Sequence, residues 1–472
     1  MACYYSCPNY EPENGTIMSS DSLSSIEKRG ATSLSLIFAL RMFGLFMIMP
    51  IFAIYGQHLI GYSPIWVGFA IGAYGLTQAI LQIPAGMLSD RIGRRPVIFI
   101  GLLIFALGGL VAAFSDSIYG VTLGRALQGG GAIASAVLAL TADITREEQR
   151  PKAMAMIGMS IGTAFALALV AGPILAPLFG LQGLFLLTTL GGLIGIAVLH
   201  FLVPRVIINA PKGQTVAIPK QLSQLIRNTQ LFRLDIGIFM LHMTLTAMFV
   251  VLPLQLQSLG FAVEKHWQLY LPALIGSVIL MLPMLIIGAK KNINKHFFLF
   301  AIGLMATSLV AMALSSQSLT LMFICILLYF TAFNFLEASL PAFISMLSPA
   351  GTKGSAMGIY STYQFLGAFC GGILGGISYK LLGSNGVFLC LACLMLLWLI
   401  ISWGMHNISK IRTYTYTADI KDENHAAQLT EQLLKLNGIL EVVTIIEEQT
   451  VYLRVNNQVF ALKEAKDILK NS

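Results

Sequence analysis

One pattern constrains this chain more than any other. From residue 32 to residue 406, stretches of about twenty apolar residues follow one another, each long enough to cross the hydrocarbon core of a bilayer as a helix. Broken at charged or Gly/Pro-rich turns, they give twelve spans: 32–57, 64–88, 95–114, 118–143, 151–178, 181–203, 232–258, 265–289, 296–314, 318–347, 353–380 and 384–406. Only 11% of the residues are charged and 56% are hydrophobic, against roughly a quarter charged in a soluble domain. No core surrounded by water can bury that much apolar sequence, so the lipid bilayer is the first partner the chain implies.

Charge placement tests the count. Alternate loops carry nineteen Lys and Arg residues, from Lys28 and Arg29 to Lys410 and Arg412, while the intervening loops hold only Lys265 and Lys380. Basic residues concentrate on the cytoplasmic side, so both termini are expected there. The net charge of +8 is then a topology signal, and nucleic-acid binding is a poor account of it.

The expected organisation is a disordered cytoplasmic leader (1–30), a six-helix bundle (31–204), a basic linker (205–231) with a short amphipathic helix near 219–229, a second six-helix bundle (232–407) and a soluble tail (413–472). The tail carries six basic and nine acidic residues, net −3, which leaves +11 on the remainder. Its alternating Val451–Val455 run and the apolar set Ala427, Leu429, Leu433 and Leu434 predict a βαββα order. It contains no cysteine, so metal carriage is not expected; self-association or binding of a ligand is. Cys390 and Cys393 form a C-x-x-C within an apolar span and read as packing residues.

The turn after span 2 reads Gly86-Met-Leu-Ser-Asp90-Arg91-Ile-Gly93-Arg94-Arg95. It resembles the signature loop of the major facilitator superfamily, G-x-L-x-D-R-x-G-R-[RK], at every specified position. Arg125-x-x-Gln128-Gly129-x-Gly131 is similar to that family's second motif, and Gly172-Pro173 resembles the core of the drug–proton antiporter motif, with alanines at 168 and 176 where that pattern has glycine. With its tail, the chain looks most like the YajR-like group, in which a twelve-helix transporter carries a C-terminal ferredoxin-like domain. The resemblance implies two pseudo-symmetric six-helix halves, proton-driven efflux and a bacterial cytoplasmic (inner) membrane. It also implies a conformational latch in which Asp90 meets the start of span 11, near Gly354 and Ser355, with Arg91, Arg94 and Asp143 in the same network.

Ionisable groups at membrane depth are functional candidates, because each costs several kcal/mol unless paired or wetted. There are four mid-span: Arg41, Arg125, His242 and Glu337, on spans 1, 4, 7 and 10. Glu337 suits a proton carrier, since the neutral acid can change sides without a charge, and His242 is its natural partner. Arg41 and Arg125 stay charged and must face a wet cavity, carbonyl groups or an anionic substrate; by motif position Arg125 resembles the family arginine implicated in proton coupling. Asp235 reads as part of the cytoplasmic rim. Tyr74, Gln78 and Gln82 share one face of span 2, and Tyr360, Tyr363 and Gln364 one face of span 11, as cavity lining or as interhelical glue.

The expected function is secondary transport of a small molecule, coupled to protons. An uncoupled facilitator and a receptor signalling through the tail are the alternatives. No nucleophile–base pair, metal-ligand set or P-loop is present, so an enzyme, a cofactor and direct use of ATP are not expected.

Overall fold

The computed structural model describes residues 22–146, 149–205, 225–314, 318–349, 352–405, 411–418, 420, 422–445, 450–456, 460 and 462–470. The amphipathic helix expected near 219–229 falls largely outside them.

Among the described residues, ten helical stretches are long and apolar enough to cross a membrane. Two of these, Arg150–Phe201 and Lys353–Trp403, run 52 and 51 residues, more than twice the length a crossing requires. Each is two helices joined at a glycine with positive φ, Gly180 at 62° and Gly383 at 68°. Counted so, the spans are twelve: Ser25–Tyr55, Pro64–Ile92, Arg94–Ala113, Ile118–Ile144, the two parts of Arg150–Phe201, Thr229–Ser258, Trp267–Lys291, Asn294–Leu314, Leu319–Leu347 and the two parts of Lys353–Trp403.

The two halves repeat one another. Gly180 and Gly383 each fall 30 residues after the first residue of their helix, Arg150 and Lys353. Arg29 and Arg233 occupy the same position, fifth, in spans 1 and 7. Each donates to carbonyls ending its own half: Arg29 to Phe201 and Leu202, Arg233 to Gly404. Arg95 adds bonds to Leu199 and Val203. These arginines, expected only to set topology, also satisfy the orphan carbonyls and negative dipole of helix C-termini.

Two local features differ from the expectation. Span 4 is not continuous: it breaks between Gly130 and Ala134. Backbone crowding explains the glycines there, since a Cβ on Gly131 would lie 2.2 Å from the Gly101 carbonyl oxygen, and one on Gly129 2.1 Å from that of Tyr74. The leader, expected to be disordered to residue 30, becomes helical at Ser25. Ser24 and Glu27 form a reciprocal capping box there.

The tail is a three-stranded antiparallel sheet with two helices. β1 (Ile411–Thr417) and β2 (Ile439–Ile445) flank β3 (Thr450–Asn456). Val451, Leu453 and Val455 alternate onto one face and pack with Leu429, Leu433, Ala465 and Leu469. The buried face of helix Glu423–Leu434 is 426, 429 and 433; Ala427 and Leu434, expected inside, are exposed. On the wet face Lys435 pairs with Glu431 at 2.9 Å and holds that carboxyl below its ordinary range.

Candidate functional site

The halves meet along a seam of glycines. A Cβ on Gly68 would stand 2.0 Å from the Gly372 carbonyl oxygen, one on Gly376 2.5 Å from that of Pro64, and one on Gly75 2.5 Å from that of Phe365. Spans 2 and 11 therefore touch backbone to backbone at the end opposite the signature loop. Toward the loop end the seam opens, and a Cβ on Gly358 would meet nothing within 4 Å.

At the loop itself Arg94 ties three groups together. It donates to Asp90, to Ser89 Oγ at 2.8 Å and to Asp143 Oδ2 at 3.4 Å. Gly93, at φ 97°, makes the turn that aims it. Arg91 is exposed, and a Cβ on Gly86 would meet Ser135 of its own half at 3.2 Å. In this arrangement Asp90 pairs with Arg94 and not with span 11. Gly172 serves packing between spans 5 and 1: its Cβ would lie 2.4 Å from the Met47 carbonyl oxygen, and Gly172 and Pro173 are both buried.

Inside the second half, three side chains from spans 7, 10 and 11 converge. His242 Nε2 lies 3.1 Å from Glu337 Oε2, and the Gln364 amide lies 2.8 Å from His242 Nε2 and 3.3 Å from Glu337 Oε1. The Glu337 side chain is 37% exposed and that of His242 13%, so the pair opens onto accessible space. Tyr360 is buried and its hydroxyl has no hydrogen-bond partner, while Tyr363 is half-buried against Phe232. Asp235 lies in the first two turns of Thr229–Ser258, two turns before His242; it is 4% exposed and its Oδ1 has no hydrogen-bond partner.

The first half holds the arginines. Arg41 donates to Gln78, which donates to Gln82 at 2.6 Å, which donates to Ser135 at 2.9 Å. Arg125 donates to Gln128 at 3.1 Å, and Gln128 to Thr188 at 2.9 Å. Both guanidiniums sit over the Tyr74 ring, 5.5 and 5.2 Å from its centroid. Tyr74 and Gln78, expected as cavity lining or interhelical glue, are fully buried beside these cations, and Gln78 joins span 2 to span 1 through Arg41.

One element was missed from sequence. Glu27 is fully buried and accepts from the Arg146 backbone N–H at 2.8 Å, from Nε at 2.9 Å and from Nη2 at 3.0 Å. The Ser24-x-x-Glu27 spacing was the available signal; its distant partner, Arg146, had none.

Twelve spans in two repeated halves, each with a polar cluster among its helices, define a secondary-transporter architecture. Residues 34–291 match the model of the Major Facilitator Superfamily, and the chain belongs to that family of integral membrane transporters. It is 41% identical to the inner membrane transport protein YajR of Escherichia coli K12, over 92% of this chain and 95% of that protein. It is 27% identical to multidrug resistance protein 2 of Bacillus subtilis, over 72% of this chain and 86% of that one. The crystal structure of the human organic anion transporter MFSD10 shares the fold, with a TM-score of 0.60 at 19% identity, over 80% of this chain and 100% of that one.

Proposed function

We propose that this protein exports a small molecule across a bacterial cytoplasmic membrane by alternating access, driven by proton entry, with both termini in the cytoplasm. The observation that carries this reading is the His242–Glu337–Gln364 cluster. Glu337 can hold a proton and donate it to His242 Nε2 while Gln364 donates to Oε1. Alternatively His242 Nε2–H donates to the carboxylate, with the Gln364 amide turned over. The cluster thus accepts or releases one proton while the imidazole stays neutral, its N–H on Nδ1 in the first state and on Nε2 in the second; turning the amide over exchanges the Gln364–Glu337 bond for one from His242 Nε2–H, beside space from which a proton can come.

The seam supports alternating access: it is packed at one end and open at the other, as one of two rocking states requires. We assign the loop Gly86–Arg95 and Asp143 to a latch at the open end, with Asp90 released toward span 11 when that end closes. Efflux is favoured by the likeness to a multidrug resistance protein. Residues 413–472 act as an accessory module through self-association or a bound ligand, so their deletion leaves transport running.

In proteoliposomes screened with radiolabelled cations, anions and neutral solutes, those that the wild type concentrates against an imposed pH gradient should not be concentrated by Glu337→Gln. Equal-pH exchange should survive in that variant. Undiminished gradient-driven accumulation by Glu337→Gln would remove the carboxylate from the mechanism.

A further inference from the structure

Arg41 and Arg125 are 1% and 2% exposed, among the largest fully buried side chains described. Neither has a carboxylate partner. The described acids of the first half are engaged or remote: Glu27 pairs with Arg146, Asp90 and Asp143 with Arg94, and Asp116 lies in the turn between spans 3 and 4. What the two cations have instead is one neutral amide oxygen each and a shared aromatic face. Arg41 Nε and Nη1 are buried without a hydrogen-bond partner, and the Tyr74 hydroxyl, also buried, lies against the Arg41 guanidinium with no acceptor for its own proton. A buried charge left so is costly, and three idle donors beside two positive charges form the complement of an anion.

We propose that Arg41, Arg125 and Tyr74 bind a small organic carboxylate, and that this anion is the transported substrate. The inference rests on the reading of this protein as a proton-coupled transporter and gives it a substrate class. The carboxylate accepts from the idle donors of Arg41 and from Tyr74, and its charge offsets both guanidiniums. Aromatic rings close the site: Arg41 also lies 5.9 Å from the Phe105 ring centroid, and the Tyr74 ring centroid lies 6.5 Å from that of Phe365.

That last contact also joins the two sites. Phe365 touches Tyr74 across the seam, and its neighbour Gln364 holds Glu337 and His242. Adjacent residues of span 11 therefore touch the anion site on one side and the proton cluster on the other. A shift of span 11 against span 2 moves both, which gives substrate and proton a common mechanical element.

Thermal unfolding of the purified full-length protein tests the substrate class without requiring coupling. Benzoate, p-aminohippurate and phthalate are compared with neutral benzamide and with the aromatic cation tetraphenylphosphonium. At least one carboxylate should raise the midpoint, with benzamide and the cation inert. Arg41→Gln and Arg125→Gln should each weaken that effect tenfold or more, and Glu337→Gln should leave it intact. Gln78→Glu places a fixed carboxylate against Arg41, so it should raise the resting midpoint and abolish the response to added anion. The proposal is overturned if no carboxylate shifts the midpoint, if tetraphenylphosphonium does so instead, or if the anion effect survives Gln78→Glu. Retained carboxylate binding alongside undiminished pH-driven flux in Glu337→Gln would instead defeat the coupling reading and leave the anion site standing.

Discussion

Gly68→Ala is the sharpest mechanical test of the seam. The added Cβ would lie 2.0 Å from the Gly372 carbonyl oxygen, where carbon and its neighbours settle at about 3.5 Å, so the two backbones must part by about 1.5 Å. No rotamer change can relieve the clash, because the obstructing atom is main chain. Overpacking of this kind costs about 1–3 kcal/mol. In a single bundle that cost would lower stability. Here it falls between two bodies that can rock apart, so it is paid by the closed state alone and shifts the equilibrium toward opening about 5- to 150-fold. Spin labels at Ile60→Cys and Leu382→Cys, both exposed at the packed end, report the separation by double electron–electron resonance. We expect a longer-distance population in Gly68→Ala with little change in melting temperature, and none in Gly358→Ala, whose Cβ meets open space. An unchanged distance distribution together with a lowered melting temperature would refute the argument and make the seam static packing.

Two further outcomes follow from the same geometry. Glu27→Ala removes the buried acceptor of the Arg146 backbone N–H and of its half-exposed guanidinium, so it should lower stability by about 1–3 kcal/mol, read as a melting shift of the purified protein. Leu433→Ala empties a fully buried position in the tail and should cost that unit about 2–5 kcal/mol, seen as early protease cleavage after residue 411 with transport retained.

The transmembrane architecture was legible because its signal is long and one-dimensional: twenty apolar residues, a basic turn, then twenty more. The break at Gly383 was readable from Lys380, Ser384 and Asn385 around it, whereas that at Gly180, marked only by Gly180, Gln182 and Gly183, was the weakest signal of the twelve spans. The break in span 4 was not, since Gly129 and Gly131 are shaped by the backbones of Tyr74 and Gly101, 55 and 30 residues away in sequence. The cluster around Glu337 was half legible. Rarity at membrane depth picked out Glu337 and His242, but Gln364 looked like any other polar residue of span 11 until the fold placed it between them. The burial of Asp235 near the start of span 7 was not legible, because the helices that cover it are remote in sequence. The same holds for Glu27, which composition assigned to a leader and tertiary contacts made the most buried of the described acids of the first half.

The central claim is that Glu337 gains and loses a proton as the protein works. Infrared difference spectroscopy of the membrane-reconstituted protein, stepped between acidic and basic pH, reads the carbonyl band of a protonated carboxyl directly. We predict a band that appears on acidification, is absent from Glu337→Gln, and shifts in position in His242→Ala. A band of full amplitude in Glu337→Gln would place the proton elsewhere and contradict the account.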